Sequence, residues 1–374
     1  MPPPEMSLAA VCTALGEPLE VMDLELAAPR AGEVRVRIGA AGICASDVSV
    51  RDGKLPSPLP IVLGHEAAGT VTAVGPGVTT IHEGDHVVIA AMPQCGECFR
   101  CARGQHSLCE QGDPVLRTGA LLDGTTRLRA GDGRAVHQMV ATGTFAEEVV
   151  VPVMSVVRIP SDVPFVPASL IGCGVLTGAG SALNAASIRP DDTVVVIGCG
   201  SVGLAALQGA RLAGAGRLIA VDVVPAKLKL AADLGAAETI DSREQDAVAA
   251  IRDLTDGRGA DVVIECVGVQ PTVDAAIRMT GKGGEVVFVG AGGPDVRIDV
   301  RHFGGLVGSA KTFRGVLFGS AEIQRDVTRI VEAYKAGSFE LDRLVSRTFT
   351  LEEVNAGIAA LGAGDVVSAV IEFN

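Results

Sequence analysis

No tryptophan occurs in this chain of 374 residues, tyrosine occurs once, and aromatic side chains make up only 3% of the whole. Any core must therefore be built from Val, Leu, Ile and Ala, and the 48% hydrophobic content is enough to build sizeable ones. A Val-rich parallel sheet covered on both faces fits that composition. Net positive charge is also missing. The formal charge is −13, and such a field repels phosphate backbones, which excludes a nucleic-acid-binding role. No run of like charge is long enough to be a tail, and no internal repeat or low-complexity segment occurs. The opening MPPPEMSLAA has no basic stretch followed by an apolar one, so no signal peptide is expected. The apolar stretches 168–188 and 193–207 are interrupted by glycines, and the first carries Asn184; both read as buried elements of a soluble protein rather than membrane spans. Nine cysteines without a secretion signal point to a reducing, cytoplasmic compartment in which thiols hold metal rather than pair as disulfides.

Four of those cysteines, Cys95, Cys98, Cys101 and Cys109, follow one another as C-x2-C-x2-C-x7-C. Thiolates this close in sequence can converge on one ion. Four around tetrahedral zinc make a closed structural site with no position left for substrate. Iron–sulfur ligation uses similar short spacings and stays open on this ground alone.

The texture of the chain changes along its length. Up to about residue 150 it is β-rich, with EVRVRI (33–38), GTVTAV (69–74) and HVVIAA (86–91) set between Gly and Pro turns. Residues 110–144 hold many glycines and little periodicity, and read as a long surface excursion. From about 175, strand and helix alternate: TVVVIG (193–198), a helix over 201–215, RLIAVD (217–222), a helix over 225–236, DVVIECVG (261–268), a further helix and GEVVFVG (284–290). That alternation predicts βαβ units on a parallel sheet. A last helix over about 321–336 and the apolar strand VVSAVIEF close the chain.

Gly198-Cys199-Gly200-Ser201-Val202-Gly203 is G-x-G-x-x-G, follows a strand and opens a helix. Asp222 lies 19 residues after Gly203, at the end of the next strand. In that context the motif is a dinucleotide fingerprint. The glycines let the backbone approach a pyrophosphate at a helix N-terminus, and the carboxylate suits a ribose hydroxyl while repelling a 2′-phosphate, so NAD is expected over NADP. Three more soft donors stand apart, Cys44 in GICASD, His65 in LGHEAAG and Cys173 in GCGVLTG. Two Cys and one His can hold a catalytic zinc with the fourth position free.

GHE at 64–66, the cysteine quartet, GCGVLTG at 172–178 and GCGSVG at 198–203 occur in the order and spacing of the zinc-dependent medium-chain alcohol dehydrogenases, and the chain resembles that family end to end, most nearly its classical and glutathione-dependent formaldehyde dehydrogenase type. The resemblance implies an α/β protein. A β-rich GroES-like catalytic domain with a structural zinc lobe would span 1–175, a doubly wound Rossmann domain 176–318, and a segment returning to the catalytic domain 319–374. It implies two zinc ions, one catalytic on Cys44, His65 and Cys173 with Glu66 beside it or exchanging onto it, and one structural on Cys95, Cys98, Cys101 and Cys109. Asp47 would orient His65. Ser46 would take the alcohol proton, and Ser49 stands where the relay's terminal histidine is usual. Thr177, Lys227, Val267, Gly290 and Phe318 would join the glycine turn (Gly198, Gly200, Ser201, Val202, Gly203) and Asp222 in holding NAD. Ala45 and Ser368 replace basic residues that face the pyrophosphate in the family. Ala91 replaces a pocket-narrowing aromatic residue and implies a wide substrate pocket, lined also by Leu108, Met139, Val140, Ala291 and Leu317. The activity implied is hydride transfer between NAD and a bulky or aryl primary alcohol or its aldehyde. Alternatives on the same fold are NADH-dependent reduction of a conjugated or imine carbon, and a non-catalytic NAD-binding role. The resemblance also implies a homodimer, with GEVVFVG and the segment after it as the shared edge, and no nucleic-acid or membrane partner.

Overall fold

The computed structural model describes residues 5–364 and 366–373; the first four residues of the N-terminal segment read above lie outside them. The chain divides into two compact units, one running to Cys173 and resuming at Glu322, the other spanning Gly174–Ala321.

The first unit carries two sheets over one core. Glu5–Cys12, Glu20–Leu26, Leu128–Arg129, Ala135–Gln138 and Ile61–Val62 close a small barrel. The second sheet runs Val156–Ile159, His86–Ile89, Ala67–Val74, Glu33–Ile43, Ala369–Glu372, Arg347–Phe349, with Glu148–Pro152 also paired to Glu33–Ile43. Alternation in these strands is broken because both faces are covered. In Ala67–Val74 and Glu148–Pro152 successive Ala and Val side chains are buried, and with no Trp available the centre is filled by small aliphatics around Phe145.

Two expectations need correction here. Residues 110–144 are no mere surface excursion, because Leu128–Arg129 and Ala135–Gln138 complete the barrel and Leu121, Leu128 and Val136 are buried. Strands of two and four residues are too short to show a period. The segment also buries a charge: the Arg127 side chain is fully enclosed, held by Glu33, Asp123 and Thr125. In the second unit, GEVVF of GEVVFVG ends the strand Thr280–Phe288, which is flanked on both sides, and the free edge next to it belongs to Thr312–Gly315.

That second unit is a six-stranded, wholly parallel sheet. Its spatial order is Glu238–Asp241, Arg217–Asp222, Thr193–Ile197, Ala260–Glu265, Thr280–Phe288, Thr312–Gly315, which in chain order is 3-2-1-4-5-6. The order reverses between Thr193–Ile197 and Ala260–Glu265, and ligands of such sheets bind in the crevice beyond the carboxyl ends of strands at that point. The helix after the first strand, Ser201–Leu212, ends sooner than its spacing suggested, at Leu212 before the left-handed Gly214. Among the described residues no single helix is long and apolar enough to cross a membrane: 168–188 breaks into short helical pieces and 193–207 is strand, turn and helix.

Candidate active site

Cys44, His65 and Cys173 come from three separate places in the first unit. Cys44 ends the long strand Glu33–Ile43 and begins the short helix Ala45–Arg51; His65 follows the strand Ile61–Val62; Cys173 follows the one-turn helix Leu170–Gly172. Their ligand atoms all lie within 4.8 Å of one another. Behind them sits Asp47, fully buried, which accepts from the Cys44 amide at 2.8 Å, from the Gly64 amide at 2.9 Å and from His65 Nδ1 at 3.1 Å. One carboxylate thus binds two of the three donor segments and fixes the tautomer that leaves His65 Nε2 facing the cluster. Gly64 is required by its backbone, at φ 86°, and by the crowding of Phe145 and Thr144 against its Cα.

Ser46 Oγ stands 3.1 Å from Cys44 Sγ and 3.1 Å from His65 Nε2, at the mouth of the cluster. Ser49 is not joined to Ser46: its hydroxyl donates to the Ala45 carbonyl at 3.0 Å. The electrostatics suit a cation. Hydrogen bonding from Cys173 holds the Cys44 thiol well below its ordinary range against the opposing effect of burial, while that same bond and burial push Cys173 up. Burial would push His65 down, but the Asp47 carboxylate and Cys44 raise it well above the usual imidazole value. Two thiols and an imidazole converging in a buried space are a soft donor set that zinc satisfies, with three protein ligands and one position over.

The second cluster, Cys95, Cys98, Cys101 and Cys109, is equally compact. Cys98, Cys101 and Glu110 amides point at sulfur: Cys98 N to Cys95 at 3.3 Å, Cys101 N and Glu110 N to Cys98, both at 3.5 Å. Those amides lower the Cys98 thiol to about 6, whereas burial raises Cys101 to about 12. Four converging sulfurs, those of Cys95 and Cys98 met by backbone amides, fit a closed four-thiolate zinc site.

In the second unit the glycine turn is shaped for a ligand. A Cβ on Gly203 would lie 1.7 Å from the Gly198 carbonyl and one on Gly198 2.5 Å from Val267 Cγ2, so both are packing requirements. Gly200 differs: its φ is −77°, and nothing lies within 4 Å of an added Cβ. Space above Gly200 and a helix N-terminus at Ser201 and Val202 with no side-chain cap are what a pyrophosphate needs. Asp222 secures the turn, accepting from the amides of Cys199, Val223 and Val224. Val267 and Gly290 meet where their loops press together, an added Cβ on Gly290 falling 2.2 Å from the Gly268 amide. Phe318, left-handed at φ 51°, leads into Gly319, which touches the carbonyls of Leu176 and Thr177. Lys227 sits half-buried in the helix Pro225–Asp233.

Ala91 and Met139 are buried in the first unit and Val140 is half-buried there, in a left-handed conformation at φ 46°. Leu108 is exposed on the four-cysteine lobe, and Ala291 and Leu317 are exposed in the second unit. Ser368 is buried, its hydroxyl without a partner among the described residues. One organising residue escaped the sequence reading. Glu265, fully buried, accepts from the amides of Val267 and Gly268 and from Thr272 Oγ1, and so fixes the loop beyond the strand at the point of reversal. A lone carboxylate closing the apolar run DVVIE was the available signal.

A two-thiolate, one-imidazole cluster in a GroES-like unit, on a chain that also carries a Rossmann-type unit, defines a zinc-dependent dehydrogenase. Comparison with known proteins agrees: residues 30–161 match the family model of the alcohol dehydrogenase GroES-like domain, and residues 201–334 that of the zinc-binding dehydrogenases. The chain is 42% identical over 366 residues to the NDMA-dependent alcohol dehydrogenase of Amycolatopsis methanolica, covering 97% of this chain and 98% of the relative. Among solved structures, an alcohol dehydrogenase zinc-binding domain protein from Burkholderia ambifaria superposes with a TM-score of 0.95 at 36% identity, over 99% of each chain. Benzyl alcohol dehydrogenase from Acinetobacter calcoaceticus gives a TM-score of 0.93 at 33% identity, over 99% of this chain and 100% of that one. The chain belongs to the zinc-dependent medium-chain alcohol dehydrogenase family and is an alcohol oxidoreductase.

Proposed function

We propose that this enzyme oxidises bulky or aryl primary alcohols, or reduces their aldehydes, with NAD as hydride carrier and one zinc on Cys44, His65 and Cys173. The observation that carries the reading is the three-donor cluster backed by Asp47 and fronted by the Ser46 hydroxyl. When bound, zinc supplies Lewis acidity to the alcohol oxygen and NAD accepts the hydride. The protein's own part is placement. Asp47 holds His65 in one tautomer, and Ser46 Oγ stands within 3.1 Å of His65 Nε2, placed to accept the alcohol proton. Ser49 carries no charge and hands nothing to a histidine, so the proton passes to water near the exposed Ala45 at the start of helix Ala45–Arg51. Ala91, whose amide donates to the Gly172 carbonyl beside Cys173, is a small residue near the cluster, and its size supports room for a ring. The name of the Acinetobacter relative, a benzyl alcohol dehydrogenase, supports the aryl preference. Asp222, a carboxylate held at the end of the strand Arg217–Asp222 with one oxygen on the Cys199 amide of the glycine turn, supports NAD over NADP. We place the enzyme in the cytoplasm as a homodimer joined through the free edge Thr312–Gly315, whose neighbouring segment exposes Ile298, Phe303 and Val307.

A second reading concerns the electron acceptor. The Amycolatopsis relative is named NDMA-dependent, and this chain shares 42% of its residues. Here NDMA would take over the hydride in place of free NAD. Zinc-replete enzyme assayed with benzyl alcohol, NAD alone and NDMA alone separates the two. NADH formation, followed by its absorbance, supports the first, and turnover only with NDMA the second. Consumption of NADH by enals or imines with no alcohol oxidation would overturn both.

A further inference from the structure

The least explained residue near the cluster is a glycine. Gly42 lies in the strand Glu33–Ile43, paired with Val370, two residues ahead of Cys44. Its φ is outside the left-handed region, so its backbone alone would accept any residue. A glycine inside a strand lacks a side chain to pack and weakens it, which calls for a reason such as the close approach of another group. The reason is Glu66. A Cβ at position 42 would lie 2.6 Å from Glu66 Oε1 and 2.9 Å from both its Cδ and its Cγ. The Gly42 amide also donates to the Glu66 carbonyl at 2.9 Å, so the two backbones are locked together and cannot part to make room. From another side Gly172, one residue before Cys173, approaches Glu66: a Cβ there would fall 3.0 Å from Glu66 Cα and 3.1 Å from its Cβ. Glu66 follows His65 directly and is 4% exposed.

We propose that Gly42 is a positioning residue, which by lacking a side chain seats the Glu66 carboxylate beside the Cys44–His65–Cys173 cluster, so that shape sets where this buried charge lies. Adding one methyl would drive the carboxylate off its seat by about 1 Å, the difference between 2.6 Å and ordinary van der Waals contact. Glu66 is bonded to His65 and packs against Gly42 and Gly172, each within two residues of another ligand, so moving its carboxylate alters both the ligand field and the ease of metal loss.

The inference rests on reading Cys44, His65 and Cys173 as the metal cluster, and the test keeps the two apart. Gly42→Ala is made in three backgrounds: wild type, Glu66→Gln, which keeps the shape of the side chain without its charge, and Glu66→Ala, which removes the clash. For each, the melting temperature of the metal-free protein, the visible spectrum of the cobalt(II)-substituted protein and the rate of cobalt loss to a chelator are measured. We expect Gly42→Ala to lower the melting temperature, shift the cobalt bands and change the loss rate at least fivefold in the wild-type background. The lowered melting temperature should persist in the Glu66→Gln background, and all three effects should vanish within twofold or within error in the Glu66→Ala background. Effects of equal size in the Glu66→Ala background, or none in wild type, would overturn the proposal. If Gly42→Ala alone does not fold, recovery of folding in Gly42→Ala with Glu66→Ala supports it and continued failure overturns it. Wild-type protein that takes up cobalt only at the four-thiolate site would instead refute the metal reading, and the metal-free melting series would still decide the role of Gly42.

Discussion

Replacing Asp47 by Asn should damage the enzyme more than any other change of equal size, because one carboxylate serves three donors. In the native site all three acceptor contacts are met, by the Cys44 amide, the Gly64 amide and His65 Nδ1. An Asn side chain has the same shape but a single oxygen. Turned toward Gly64 and His65 it keeps two bonds, now neutral, and sets its NH2 against the Cys44 amide. Losing the charge on two bonds costs about 1 kcal/mol each, and a buried unsatisfied amide about 1–3 kcal/mol, so the total is about 3–5 kcal/mol. That corresponds to a fall in melting temperature of about 6–20 °C for a unit of this size. Loss of such a supporting partner typically weakens metal binding by about 10–100-fold. The assays are thermal melting of the metal-free and zinc-loaded protein and competition for zinc with a chromophoric chelator. An Asp47→Asn protein that melts with wild type and holds zinc within twofold of it would refute the argument that this carboxylate organises the cluster.

Arg127→Met should cost about 3–5 kcal/mol in denaturant unfolding, because it leaves the buried Glu33 carboxylate without its cation; a near-neutral result would show the cluster already protonated or hydrated. Burial favours the neutral form of Asp123, but hydrogen bonds from Thr125 and Arg127 outweigh it and hold the acid well below the ordinary range. Its stabilising contribution is therefore full above about pH 4, the unfolded value, and is lost as the pH falls further; acid unfolding of Arg127→Met should lose the Arg127 share of that dependence and keep the share due to Thr125. Asp222→Gly should raise relative use of NADP by removing a like-charge clash, while lowering kcat/KM with NAD because the Cys199 amide of the glycine turn and the amides of Val223 and Val224 lose their acceptor; unchanged selectivity would contradict the role given to Asp222. Ala91→Phe should shift kcat/KM from benzyl-type toward small alcohols, and wild-type preference for ethanol would refute the wide-pocket reading.

The second unit was the more legible half. TVVVI and RLIAVD are continuous apolar runs because both faces of a parallel sheet are buried, and the glycine turn announces itself by spacing. The cysteine quartet was equally plain, since all its ligands fall within a short stretch of chain, from Cys95 to Cys109. The barrel strands at Leu128–Arg129 and Ala135–Gln138 were not, because two to four residues carry no period and a buried Arg127 masks the core. The edge of the parallel sheet was missed for a related reason: Thr312–Gly315 is short and mostly exposed, and nothing in TFRG says strand. At the cluster, the donors were visible as motifs. The seat of Glu66 was not, since Gly42 and Gly172 are needed for space alone and no turn or positive φ marks them.

The central claim is a catalytic zinc on Cys44, His65 and Cys173, separate from a structural zinc on the four clustered cysteines. Zinc content per chain, measured by elemental analysis on metal-replete wild type, Cys173→Ala and Cys98→Ala, tests it most directly. The account predicts two zinc ions in wild type, and one in a Cys173→Ala protein that stays folded but does not turn over alcohol. It predicts structural failure in Cys98→Ala, because metal binding at a four-thiolate site is coupled to folding. One zinc in wild type, iron with acid-labile sulfide, or full activity in Cys173→Ala would contradict it.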